Sequence, residues 1–352
     1  DEQALGPEDP TVAVDLDNLA SVLHRQGDFQ AAKPLYERAL KINRAAYDTN
    51  HQAIAQSLNN LSTLLQDMGE LGEALPMADQ ALRINEKILG PKHPLVAIAL
   101  NNQAYLLTEL GRYPEARPIG ERALRIAEKS LGPDHPRVAT ILTNLATLLL
   151  HQGDLDGARA MMERALRIDE LAYGPDHPAV ATDLSNLASV RSRQGDVAGA
   201  QALLERVRRI LEAALGPDHP NLAVTLNNLA ANLYAQGKYA EARPVFERML
   251  QIDEAALGAE DPIVAVDLNK LARTLSRLGD HPAALRHAER AAAIGERRLR
   301  NAPGDEAAAI QLGRVLLDLG RIQAEASDRA TAQKSWARAA EVVGPISDKG
   351  GN

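Results

Sequence analysis

The chain has 352 residues, a net charge of −8, no cysteine and only 3% aromatic residues. These values leave no disulfide or thiolate metal site and no basic footprint for nucleic acid, and no run of 18 apolar residues offers a membrane span. The 45% of hydrophobic residues, carried mainly by Ala and Leu, suit close-packed helices, because both are strong helix formers.

The first residues, "DEQALGPEDP", are acidic and lack an apolar run, so they are not a signal peptide. They read as an inter-helix linker, which suggests a piece of a longer or processed protein. The stretch "LGPEDP" at 5 returns as "LGPKHP" at 89, "LGPDHP" at 131, "YGPDHP" at 173, "LGPDHP" at 215 and "LGAEDP" at 257. The starts fall on a 42-residue period, and "YDTNHQ" at 47 fills the open slot. A period of that size sets the architecture before any other feature, since the core of such an array grows by stacking.

The unit from Pro136 shows the local structure. Val138, Leu142, Leu145 and Leu149 are spaced i, i+4, i+7, i+11, one stripe of a helix. Pro136 suits the first helical turn, where its missing N–H is no loss. Gly153 ends this helix in the left-handed conformation that glycine tolerates. A second helix follows, with Ala158, Met161, Ala165 and Ile168 on its apolar face, and Gly174 and Pro175 stop it. Each unit is therefore predicted to be two antiparallel helices. The turn glycine recurs from Gly27 to Gly279, small residues recur from Ala13 to Ala265 and from Ala32 to Ala284, and Ile42 has six identical equivalents through Ile294.

After Leu299 the period breaks at "RNAPGDE". Residues 301–343 read as a divergent capping pair, with Ser327 in place of the turn glycine and Trp336, the only tryptophan, sealing the last interface. Residues 344–352 are expected to be a disordered tail.

"LNNLAxxxxxxG" followed by "YxEARPxxERALxI" resembles the tetratricopeptide repeat in the 42-residue form of kinesin light chains, over residues 1–300 as seven units. The usual unit has roughly 34 residues; the additional eight lengthen the second helix and supply the linker. The resemblance implies an all-α, right-handed α-solenoid whose first helices line a concave groove, with no cofactor and no catalytic role.

His93, His135, His177 and His219 stand at equivalent linker positions. Successive repeats are offset by at least a helix-packing distance of about 8–10 Å, whereas zinc takes imidazole nitrogens at about 2.0–2.1 Å. These histidines cannot share a metal, and no linker pairs a nucleophile with a base. The linker is read as punctuation between helices.

A second stripe on the first helix of each unit carries the functional reading. In the first unit it is Val14, Asn18, Ser21 and Arg25. The Asn recurs as Asn60, Asn102, Asn144, Asn186 and Asn228 before changing to Lys270. Asparagine costs roughly 0.7 kcal/mol relative to alanine inside a helix, so six copies point to a role beyond helix formation. Each amide offers one acceptor and two donors, which match the backbone of an extended peptide. In kinesin light chains and related clamps this Asn holds ligand backbone, which the resemblance implies here for Asn18, Asn60, Asn102, Asn144, Asn186 and Asn228. The alternative role is to bond neighbouring repeats and set their twist. The flanking wall is mixed: acidic at Asp67 and Glu109, basic at Lys270, Arg273 and Arg277, where an acidic side chain or C-terminal carboxylate could dock. Asp17 occupies the place where the carboxylate clamp of chaperone-binding relatives wants a lysine.

The leading expectation is a non-enzymatic cytoplasmic scaffold that binds a protein or extended peptide, with no nucleic-acid or membrane partner and with self-association through its ends open. The alternative is the sensor array of a larger signalling protein, such as a nucleotide-switch ATPase, kinase or protease.

Overall fold

The computed structural model describes residues 5–347, which form sixteen helices and no strand. They are α1 (Pro10–Arg25), α2 (Phe29–Ala46), α3 (Gln52–Asp67), α4 (Leu71–Leu89), α5 (Pro94–Glu109), α6 (Tyr113–Leu131), α7 (Pro136–His151) and α8 (Leu155–Tyr173). There follow α9 (Pro178–Arg193), α10 (Val197–Leu215), α11 (Leu222–Ala235), α12 (Tyr239–Leu257), α13 (Pro262–Arg277), α14 (His281–Asn301), α15 (Glu306–Glu325) and α16 (Arg329–Ser347). Two compact units hold α1–α8 and α9–α16. Within each, every helix packs on the next in sequence, and the tightest contacts join the two helices of one pair. The expected tail begins inside α16, which continues to Ser347; residues 348–352 lie outside the described residues.

The linker histidines have a definite job. His51, His93, His135 and His177 are the N-cap residues of α3, α5, α7 and α9, and each Nδ1 accepts the backbone N–H two residues on, at 3.1–3.2 Å. Asp9 and Asp261 do the same with a carboxylate oxygen, at 2.8 and 2.7 Å. Except in α3, proline follows the cap and offers no N–H, so the next residue holds the first donor needing a partner. This explains why "GPDHP" and "GPEDP" interchange along the chain. His219 makes the same bond to Asn221 at 3.2 Å, although α11 starts only at Leu222.

The turn within most pairs combines two devices, although Glu70, Arg112 and Lys238 supply no side-chain cap to α4, α6 and α12. Gly153 takes φ +81° to end α7, and the next residue, Asp154, accepts the Gly157 N–H at 2.9 Å to start α8. In the last pair Ser327 holds this conformation at φ +69°, the sole non-glycine to do so among the described residues. Asp328 again caps the following helix, accepting from Thr331 at 3.0 Å.

The core is built from small residues where helices cross and large ones between. The seven second-helix alanines from Ala32 to Ala284 are all 0% exposed, and all seven isoleucines from Ile42 to Ile294 are buried. In α8 the buried methionine is Met162, at i+4 from Ala158; Met161, expected on the apolar face, packs only partly against the core. Trp336 lies across the last helix pair without being buried there. Its ring lies against Gly320 of its own pair and its Nε1 donates to the Leu317 carbonyl at 3.3 Å, yet it stays 40% exposed.

Between pairs runs an arginine clasp. Arg122 donates to Glu86 at 2.6 Å, one second helix back, and to the Pro91 carbonyl in the intervening linker. Arg164 repeats this on Glu128 and Pro133, Arg248 on Glu212 and Pro217, and Arg290 on Glu254 and Ala259. One guanidinium thereby fixes a helix and a linker carbonyl together, using its rigid fork of donors.

Two expectations follow for stability. Replacing Ala158 by Leu should overpack the α7–α8 pair at a cost of about 1–3 kcal/mol, and hydrogen exchange should report loosening confined to neighbouring pairs. His135→Ala should remove a cap worth about 0.5–2 kcal/mol, whereas His135→Asp should retain it, and added zinc should leave all three melting curves unchanged. A variant without the imidazole that melts like the original protein would contradict the capping role.

Candidate functional site

In the first unit, Asn18, Asn60, Asn102 and Asn144 sit on α1, α3, α5 and α7, Asn18 exposed and the others half-buried. Asn102 Nδ2 donates to Asn59 Oδ1 at 3.1 Å, and Asn144 Nδ2 donates to Asn101 Oδ1 at 3.0 Å. Each bond spans 43 residues, from one repeat to the position just ahead of the stripe in the preceding repeat. Asn59 and Asn101 are thus acceptors that the stripe alone did not single out; their signal is a polar residue directly before the recurring Asn.

Asp17 is the corresponding acceptor one repeat earlier. Ser57 Oγ donates to it at 3.1 Å and itself receives a bond from Asn43 at 3.0 Å. The neighbouring Asn60 side chain also favours the Asp17 charge, but burial outweighs both donors and holds this carboxyl above its ordinary range. Asn60 Oδ1 meanwhile accepts from Gln56 at 2.8 Å. Around these groups lies a hollow of about 390 Å³, lined by Val14, Asn18, Ser21 and Tyr36 among others.

In the second unit Asn186 lies on α9, Asn228 on α11 and Lys270 on α13. Asn186 makes no side-chain hydrogen bond among the described residues, and Asn228 accepts only a 3.4 Å contact from Asn227. Between α9 and α11 is a hollow of about 310 Å³, with Ala188, Ser189, Ala231 and Ala235 as small walls, Leu204 as floor and Asn228 at its side. Its single charged lining residue is Arg193, exposed and without an ion pair among the described residues. The room comes from side-chain size: Ser189 and Ala231 take the place that Tyr105 fills on α5.

The three expected cations of α13 are not equally available. Lys270 Nζ is 3.1 Å from Asp267 Oδ1. Arg273 lies 3.8 Å from Asp318 of α15, and its guanidinium stacks over the Tyr234 ring, 5.5 Å from the centroid. Arg277 is exposed and hydrogen-bonds the Tyr234 hydroxyl. Asp267 is itself unusual, with a side chain only 3% exposed and an Oδ2 that has no partner. Burial pushes its pKa up to about 7 against the pull of Lys270, and the neighbouring Asp253 carboxyl of α12 favours the protonated form further.

This raised value has a sign. Between pH 3.8, the ordinary aspartate value, and about 7 the folded chain holds a proton that the unfolded chain has released. Stability is therefore present at the acid end of that window and lost as pH rises through it. Asp267→Asn should be insensitive in this window, so its unfolding free energy should gain on that of the original protein from pH 5 to pH 8, by on the order of 1–3 kcal/mol. Parallel curves for the two proteins would show that Asp267 does not hold the proton.

A family model described as tetratricopeptide repeat matches in overlapping copies at residues 10–87, 53–129, 95–170, 137–213, 184–255 and 222–297. The crystal structure of BtubC (BKLC) from P. vanneervenii is similar at 28% identity and a TM-score of 0.50, covering 59% of this chain and 82% of that one. A variant of a Podosopora anserina protein of the kinesin light chain type, with nearly identical TPR-like repeats, shares the fold at 24% identity and a TM-score of 0.50, over 58% of this chain and 97% of its own. No curated protein matches in sequence.

Proposed function

The chain belongs to the tetratricopeptide repeat family, and on that premise we propose that it is a non-enzymatic cytoplasmic scaffold holding an extended peptide or partner protein against its first-helix amides. The observation that carries this reading is the hydrogen-bonding capacity the Asn side chains retain. Asn102 and Asn144 each commit one N–H to a neighbouring repeat, which leaves a second N–H and the Oδ1 for a ligand. Asn186 and Asn228 keep still more of theirs. A peptide backbone presents one donor and one acceptor per residue, so a row of such amides suits main chain rather than any one side chain.

Side-chain preference then falls to the hollows. The recess beside Asn228 takes an apolar side chain of moderate size against Leu204 and the alanines. An acidic ligand residue pairs with Arg193 or Arg277, which face solvent, while Lys270 and Arg273 must first exchange existing partners. Isolated surface pairs of this kind contribute little on their own, so the amides and the recess carry most of the affinity.

The test separates binding from bracing. A partner captured from the native proteome is titrated calorimetrically against two double variants, with melting curves recorded alongside. Asn186→Ala with Asn228→Ala should keep full stability and weaken binding by about 1–3 kcal/mol, taking each lost bond at about 0.5–1.5 kcal/mol. Asn102→Ala with Asn144→Ala should lose binding and stability together, because a strut goes with each amide. Full affinity in the well-folded Asn186/Asn228 variant would sink the groove reading.

A further inference from the structure

Where α12 meets α13, three neighbouring positions depart from the pattern together. The stripe that carries asparagine from Asn18 to Asn228 becomes Lys270. The place of Asp267 is held by Ser57, Ala99, Ile141 and Thr225 in other repeats, all neutral and at most 5% exposed. Across the seam, Asp253 of α12 stands where Asn43, Ala127 and Leu211 stand, neutral again. In the first unit these two places are joined by a neutral bond, from Asn43 to Ser57 at 3.0 Å. Packing at such a seam therefore does not call for two acids. Asp15 and Asp183 are also acids at the place of Asp267, but the stripe residue three positions on is Asn18 or Asn186, with no charge to exchange.

The geometry couples the three groups. Asp267 is 2% exposed, and its Oδ1 lies 3.1 Å from Lys270 Nζ, one turn on along α13. Its Oδ2 is buried without a partner, beside the Asp253 carboxyl. Two carboxyls in such a place do not both ionise readily. The other charged groups around α13 are committed elsewhere. On α15, Asp318 is met by Asn269 and Arg273, and Glu325 by Ser276. On α14, Arg290 bonds Glu254 of α12, and His287 faces Glu247 and Glu254. On α11, Tyr234 meets Arg273 and Arg277. Lys270 keeps 31% of its side chain in solvent, and its flexible stem can carry the ammonium inward to Asp267 or outward to a ligand.

We propose that the proton on Asp267 gates Lys270: with Asp267 protonated the lysine is free to pair with a carboxylate side chain of a bound peptide, and with Asp267 ionised it is held back. The gate rests on the groove reading for its ligand and on the seam between α12 and α13 for its control. A ligand carboxylate competes with Asp267 for one ammonium, and the proton removes the competitor. The coupling is reciprocal, so binding of such a ligand near neutral pH is accompanied by proton uptake.

Lys270 can be followed without any ligand. Reductive methylation with carbon-13 labels the lysines and keeps their charge. The Lys270 signal, assigned with Lys270→Arg, should titrate between pH 6 and pH 8 in the original protein and stay in place in Asp267→Asn. If circular dichroism shows that this variant loses helix, Asp267→Thr replaces it, since Thr225 holds the equivalent place. The second readout is affinity for a fluorescent hexaglutamate peptide, an extended chain of carboxylates, at low ionic strength. Binding should be stronger at pH 6 than at pH 8 by about two- to fivefold, the factor that a partly exposed pair of charges contributes. In Asp267→Asn the affinity at pH 8 should rise to the pH 6 level, and Lys270→Ala should lose the pH dependence.

A Lys270 signal that does not move overturns the proposal, as does one that titrates equally in Asp267→Asn. A titrating lysine with no pH effect on the peptide, or with one that survives in Lys270→Ala, overturns it too, and a peptide that binds at neither pH counts the same way. The groove reading is judged apart. Asn186→Ala with Asn228→Ala should weaken the peptide equally at both pH values; full affinity in that variant sinks the groove but leaves the gate at Lys270 standing.

Discussion

Every other feature of this molecule depends on the fact that a helix pair of this sequence cannot bury its own apolar surface. The face of α2 that carries Tyr36 and Leu40 is covered by Leu58, Leu61 and Leu65 of α3, which belong to the next repeat. Removing about 25 cal/mol per Å² of apolar surface from water drives such contacts, but half of the surface belongs to a neighbour. The alanines are the counterpart of this constraint. With Ala32 and its equivalents completely shielded, helices approach closely enough for the larger side chains to interlock, and one extra methylene at such a site is felt.

Polar groups then fix what apolar contact leaves loose. Apolar packing is non-directional, so a stack held by it alone could slide or rotate at each junction. The clasp of Arg122 on Glu86 and Pro91 O ties the second helices on one side, and the bond from Asn102 to Asn59 ties the first helices on the other. Two directional contacts on opposite sides of one apolar seam restrict its rotation more than either would separately. Where the pattern changes in the second unit, other pairs take over: Asn269 donates to Asp318 at 2.8 Å, and Gln311 to the Pro262 carbonyl at 2.9 Å.

Much of this was legible in the sequence because the signals repeat. The 42-residue period, the turn glycine, the invariant isoleucine and even the substitution of Ser327 at the last turn follow from local conformation, which sequence encodes directly. What escaped depends on partners distant in the chain. The capping role of His135 needed the N–H of Arg137 to point at the ring, and the linker read as mere punctuation without it. Met162 rather than Met161 fills the core because the two methionines differ by about 100° around α8, and only the packed neighbours decide which of them faces inward. The strut bonds needed two helices placed side by side, and the partial neutralisation of Lys270 and Arg273 needed Asp267 and Asp318 to be placed beside them.

The amide stripe shows why a structural role and a binding role need not compete. A serine in place of Asn102 has one donor hydrogen, and committing it to Asn59 would leave none; an aspartate has no donor at all. An asparagine has two hydrogens set about the same nitrogen, so one can brace the stack while the other faces outward, with the carbonyl oxygen free to accept. A glutamine has the same groups on a longer stem, at a greater cost in side-chain entropy when fixed. Asparagine is thus the shortest side chain that can hold a neighbouring repeat and still offer both a donor and an acceptor. Asn102 and Asn144, the two positions of the stripe that brace a neighbouring repeat, keep this capacity, and the proposed peptide-binding role would draw on it.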